Sequence, residues 1–189
     1  MTTTTTTTQP VDNGVEIEAI LGAREAMTGM PAAAAFQWRA RTTWVDGTHS
    51  RTTIGDFFGV GGEQSHRQDH VLEGDHPELF ASQDNGPAPV ETALAALGAC
   101  LTAGVATVAT NRGIQLRSVT AHVEADMDLQ GIMGIDPTVR NGFSGVRVRF
   151  DIDADATREE LAAVVAQSQK RSAVHDVISN PTSVQVVLS

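Results

Sequence analysis

The sequence predicts an α+β protein, with antiparallel sheets that each keep one wet face and a long buried helix at the centre. Three observations carry that expectation. Val119 to Leu129 and Val146 to Asp153 alternate between apolar and polar residues, the period of a half-buried strand. Thr157 and Glu160 have the spacing of a capping box ahead of an apolar-striped helix. Between the first strands and these elements, Thr92 to Thr110 contains no charge at all, so a helix there has to be buried on most of its surface.

In chain order, residues 1–12 include seven consecutive threonines, Thr2 to Thr8, and read as a disordered low-complexity terminus. Residues 13–30 place Val15, Ile17, Ile20, Leu21 and Met27 among charges, which predicts a short amphipathic helix stopping near Gly29 and Pro31. The main domain spans 31–189. In it, Phe36, Trp38, Ala40, Thr42 and Trp44 alternate with Gln37, Arg39, Arg41 and Thr43, and Asp46-Gly47 signals a hairpin returning through Arg51 to Ile54. A two-residue loop pairing Val45 with Thr48 puts Arg51 beside the tryptophans. One extra residue puts it beside Arg39 and Arg41. Residues 55–90 read as loop with one strand near Val71.

The buried helix then starts at about Pro89 and ends before Gly113. After the two alternating strands, the capped helix turns Leu161, Val164 and Val165 inward. Val174, Val177 and Ile178 add one or two turns, which Asn180-Pro181 ends, and Val184, Val186 and Leu188 read as a last strand.

Composition narrows the function classes. A net charge of −10 argues against nucleic acid and anionic membranes as partners. The single cysteine forms no internal disulfide, nothing reads as a signal peptide, and the glycines and threonines of 92–110 argue against a membrane span, so a cytoplasmic location is expected. His66, Asp69, His70, Glu73, Asp75 and His76 match no strong ligand spacing, and Gly59, Gly61 and Gly62 no phosphate loop. No metal or other cofactor is expected, and His122 and His175 read as surface residues. Cys100 in the charge-free run is either a small core residue or a nucleophile sheltered from bulk water. A mid-helix cysteine gains nothing from its own helix's N-terminus, so activation calls for a cation close by.

Pro89-Val90-Glu91 through Leu97-Gly98-Ala99-Cys100-Leu101, then Arg112-Gly113-Ile114, resembles the OsmC/Ohr family of thiol-dependent peroxidases. The alternating strands, the Asn141-Gly142-Phe143 turn and the closing Asn180-Pro181…Val184 segment share the resemblance, which covers about residues 36 to 189. It implies an OsmC-like fold and an intertwined homodimer, with a long central helix and an active cysteine from each subunit at the interface. Gly98, Ala99, Ala103, Gly104 and Ala106 leave room for a second helix to approach. The resemblance further implies an arginine on the first hairpin beside the thiolate: Arg51 by its place after the turn, with Arg39 and Arg41 as alternatives.

Two departures from the family pattern bear on activity. Its peroxidases carry a second, resolving cysteine, and the matching position here is Ser172, in Arg171-Ser172-Ala173-Val174. Such peroxidases also place a glutamate ten residues before the cysteine, where this chain has Val90. Glu91, nine before, either serves the helix N-terminus or takes part in an active site, the partner's included. The resemblance therefore points to a one-cysteine, peroxiredoxin-like oxidoreductase reducing organic hydroperoxides, with Cys100, Arg51 and Glu91 as catalytic candidates and an external thiol as reductant. Leu94, Leu97, Leu101, Phe57, Phe58 and Phe80 are the candidate apolar walls. Alternatives are a non-peroxidatic dimer that binds or senses a small apolar or sulfur-containing ligand, and group transfer on the same thiol.

Overall fold

In a computed structural model, residues 11–188 are described, so the threonine run lies outside the described residues. The chain forms two compact units, one of residues 18–93 and one of residues 94–188 with 11–17.

In the first unit, α1 (Ile17–Gly29) matches the expected short helix and is followed by a 3₁₀ turn at Pro31–Ala34. Three strands, β1 (Arg41–Asp46), β2 (His49–Gly59) and β3 (Gly62–Gly74), pair antiparallel in the order β1-β2-β3. Half of the region read as loop, 55–90, is thus strand, and the strand expected near Val71 is the end of β3. Its second hairpin turns at Val60 (φ 52°) and Gly61 (φ 78°), both in the left-handed region that a two-residue turn of this hand requires. In the first hairpin Asp46 faces His49, and a bulge between Trp44 and Asp46 shifts the register so that Thr43 faces Arg51. Arg51 therefore shares a face with Arg41, the second of the two arrangements left open above. Gln37 is joined to Phe58 by a single bridge, and regular pairing begins only at Arg41.

The long helix α2 (Pro89–Asn111) begins in the first unit and runs into the second. Pro89 occupies its first turn, and it stops where Gly113 takes φ 69° and the Ile114 N–H returns to the Ala109 carbonyl. By length and composition α2 is sufficient to cross a membrane; Leu97, Leu101, Val105, Val108 and Ala109 are buried within the fold, but most of the helix is not, short of the burial on most of its surface that the sequence predicts. Val105, Val108, Ala109, Ile114 and Val164 form the core, with Val119, Phe150, Ile152 and Val165 packed around them.

In that unit β4 (Leu116–Asp126) and β5 (Gly145–Ala154) form an antiparallel pair whose outer face carries ion pairs such as Arg147 with Glu124 and Asp126. The capping box forms as the sequence predicts, Thr157 and Glu160 each bonding the other's backbone at the start of α3 (Arg158–Arg171). A last helix, α4 (Ala173–Ser179), closes at Asn180. Val184 to Leu188 form no strand. They alternate correctly but pair with no other described strand, and their apolar side chains are exposed.

Two of the small residues of α2 are explained within this chain. Gly98 lies against the Val123 side chain, and Gly104 against Ser168 of α3, whose buried hydroxyl donates to the Leu101 carbonyl at 2.7 Å. A methyl group on Gly104 would overlap the Ser168 hydroxyl and approach its Cα to 3.3 Å, where backbone cannot easily yield. Gly104→Ala is therefore expected to destabilise the protein by about 1–3 kcal/mol despite the helix-propensity gain, read as a lower urea midpoint with unchanged slope.

Candidate functional site

Cys100 is half-buried midway along α2, three residues after Leu97 and one before Leu101. Ser172 meets it from 72 residues further along the chain. That serine is the single residue between α3 and α4 and is held by both. Its N–H donates to the Gln169 carbonyl at the end of α3, and its Oγ accepts the His175 N–H at 3.1 Å as the N-cap of α4. The hydroxyl proton remains free, and it is directed at Cys100 Sγ, 3.1 Å away.

Burial alone pushes the Cys100 thiol up. The Ser172 hydroxyl, followed by the N–H groups of Val174 and Ala173, outweighs that effect, and the thiol titrates below its ordinary value. The sequence offered only a hairpin cation for this task. The groups found at the sulfur instead come from the start of a second helix, packed against the middle of the first.

A cavity of about 220 Å³, which Cys100 itself does not line, has walls of Leu97 and Leu101 from α2, Val146, Val148 and Phe150 from β5, and Val165 from α3. Gln169, His175 and Ser179 make one end polar, and the Gln169 amide donates to His175 Nε2 at 3.1 Å. His175 thus touches both places, its backbone fixing Ser172 and its ring lining the cavity.

Of the expected walls, Leu97 and Leu101 line this cavity, while Leu94 is half-buried near the start of the same unit. The three phenylalanines belong to the hairpin unit. Phe57 stacks on Trp38 at 4.9 Å and tilts against His66 at 5.4 Å, Phe58 pairs with Glu63, and Phe80 meets His76 at 6.0 Å. Arg51 Nε donates to Glu73 at 2.7 Å, and Arg51 with His49 holds that carboxyl below the usual carboxylate range. Arg39 pairs with Glu63, whereas Arg41 has no ion-pair partner among the described residues. Glu91 accepts the Ala88 N–H at 2.8 Å, which is the helix-terminus arrangement. Asp75, a member of the histidine- and acid-rich segment, is buried and bonded by hydroxyl and amide groups.

Sequence reasoning missed Ser172 as a donor, Glu73 as the partner of Arg51, and the polar end of the cavity. Ser172 had a positional signal, its match to the second-cysteine site. Glu73 had none, because its pairing depends on the register of β2 on β3.

An α+β fold in which a lone cysteine midway along the long central helix accepts a hydrogen bond from a serine at the start of a second helix defines a class of small thiol proteins. The family model for OsmC-like protein matches residues 82–187, more than half the chain, and the chain belongs to that family. No curated protein matches it. Among solved structures, the chain is similar to an OsmC-like protein from Mycoplasma pneumoniae (TM-score 0.55, 16% identity, covering 76% of this chain and 87% of that one). It is also similar to an organic hydroperoxide resistance protein OsmC from Legionella pneumophila (0.54, 18%, 77% and 90%). An OsmC-like protein of unknown function from Vibrio cholerae is a third (0.52, 13%, 74% and 92%). At these identities the likeness is one of fold.

Proposed function

We propose that the protein is a one-cysteine thiol peroxidase that reduces organic hydroperoxides in the cytoplasm, as a homodimer, with an external thiol as reductant. The observation that carries this reading is the Ser172 hydroxyl donating to Cys100 Sγ at 3.1 Å, which favours the thiolate, with a partly apolar cavity lined by Leu97 and Leu101 of the same helix. The thiolate sulfur attacks the distal peroxide oxygen, the O–O bond breaks, and the alkoxide leaves and takes a proton as the alcohol. Cys100 becomes a sulfenic acid. One external thiol condenses with it to a mixed disulfide and water, and a second releases the Cys100 thiol together with the oxidised reductant. Arg51, positioned by Glu73, is the proposed stabiliser of the developing alkoxide, and Glu91 is proposed to act through the partner subunit.

The exposed, small residues Ala96, Ala99 and Ala103 along α2 support a close second helix. The exposed Val184, Val186 and Leu188 support further burial by another copy. The rival reading, a dimer that binds or senses a small apolar ligand without turnover, is favoured by Ser172 and Val90 where the resembled peroxidases have a thiol and a carboxylate.

One experiment separates the two. With one equivalent of an alkyl hydroperoxide and a sulfenic-acid trap, mass spectrometry is expected to find Cys100 modified stoichiometrically within minutes. A thiol still reduced after hours removes the peroxidase reading.

A further inference from the structure

Ser172 does more than end one helix and start the next. An N-cap needs only an acceptor, and Ser172 meets that need through the oxygen lone pair that takes the His175 N–H. The other half of the hydroxyl is left over. At a site only 6% exposed, with one lone pair engaged at 3.1 Å, the partner found for its proton is Cys100 Sγ. We propose that Ser172 is a positioning residue for Cys100: its hydroxyl, locked in orientation by the His175 N–H, donates to the sulfur, holds it as the thiolate and fixes the rotamer from which it reacts.

Three features make this geometry suited to the task. Ser172 cannot drift, because α3 and α4 both bond its backbone or side chain. The N–H groups of Ala173 and Val174, next along the same turn, act on the thiol in the same direction as the hydroxyl. Of the titratable side chains of that turn, His175 directs its ring at Gln169 and Asp176 accepts from Asn180 at 2.7 Å, which leaves neutral donors at the thiolate. The position matching the family's resolving thiol thus becomes a station for the attacking one. Hydrogen bonds to charged groups exceed those to neutral ones by enough to move a thiol–thiolate equilibrium about tenfold.

The inference rests on reading Cys100 as a thiolate nucleophile, but its test involves no peroxide, so either can fail while the other stands. Cys100 is the chain's sole thiol, and its titration can be followed by thiolate ultraviolet absorbance and by the pH profile of iodoacetamide alkylation. Wild type is expected to titrate below the ~8.5 of a free thiol. Ser172→Thr keeps both cap and donor and should titrate with wild type. Ser172→Asp keeps the cap but offers no proton and adds a like charge, and Ser172→Ala loses both; each should raise the midpoint by about one pH unit or more. Circular dichroism identifies any variant that fails to fold. A folded Asp or Ala variant titrating with wild type would show that Ser172 is only a cap and overturn the proposal. A wild-type midpoint at or above the free-thiol value overturns it without any variant.

Discussion

Ser172→Cys is expected to turn this protein into a two-thiol one: a single equivalent of alkyl hydroperoxide should yield an internal disulfide between Cys100 and the introduced thiol. The existing Oγ and Sγ lie 3.1 Å apart, so the new sulfur needs to close only about 1 Å to reach bonding distance. The hydroxyl cannot do this, because a serine oxygen has no oxidation chemistry with a sulfenic acid. In the variant, the sulfenic acid on Cys100 is attacked by the neighbouring thiol and water leaves. The closed loop spans 72 residues of sequence separation, for which chain entropy predicts about 4 kcal/mol of added stability. For a chain of this size the oxidised variant should therefore melt roughly 10 °C above its reduced form. Intact mass, non-reducing electrophoresis and a melting curve with and without reductant test this together. Persistence of a trappable sulfenic acid in the variant would mean that α4 does not bring residue 172 to the thiol, and with it the activation scheme for Cys100 would fall.

How much of this was legible beforehand differs by element, for physical reasons. The strands β4 and β5 were readable because one face is buried and the other charged, so burial wrote a period of two into the sequence. The capping box was readable because its chemistry is local, confined to Thr157 and Glu160. By contrast, of β3 only the stretch near Val71 was readable. From Glu63 to His70 it is exposed throughout, its side chains are polar on both faces, and it is held by backbone pairing to β2. Its turn, Val60-Gly61, places a β-branched residue in the left-handed region, which no turn preference would suggest. The face of Arg51 was undecidable because it depended on a bulge at Val45 that leaves no mark in composition. Val184 to Leu188 show the converse, since alternation marks a segment able to be a strand, and pairing needs a neighbour. At the site, Cys100 stood out through its charge-free surroundings. Its partner Ser172 is distant in sequence, and only the packing of α4 on α2 brings them together.

The largest loss of stability from a single substitution is expected at Asp75. This carboxylate is 1% exposed and accepts from five groups: Thr48 Oγ1 at 2.7 Å, Ser82 Oγ at 2.5 Å, Asn85 Nδ2 at 2.8 Å, and the N–H groups of His76 and Asn85 at 2.8 and 3.1 Å. The Ser82 and Thr48 hydroxyls lead in holding its pKa far below the usual carboxylate range, against the opposing effect of burial. Asp75→Ala leaves these donors without an acceptor in a site with little access to water. Asp75→Asn preserves the shape but aims an N–H₂ at groups that are themselves donors. Both should lower the melting temperature by roughly 10 °C or more, and the isosteric change should be no rescue. Because the folded pKa is depressed, the contribution of this carboxylate is complete above the unfolded value of ~3.9 and is lost as pH falls toward the much lower folded value. The wild-type melting temperature should therefore drop more steeply below about pH 4 than that of Asp75→Asn, so that the two curves converge in acid. Parallel curves over that range would show that the charge of Asp75, as distinct from its shape, contributes nothing to the loop that leads into α2.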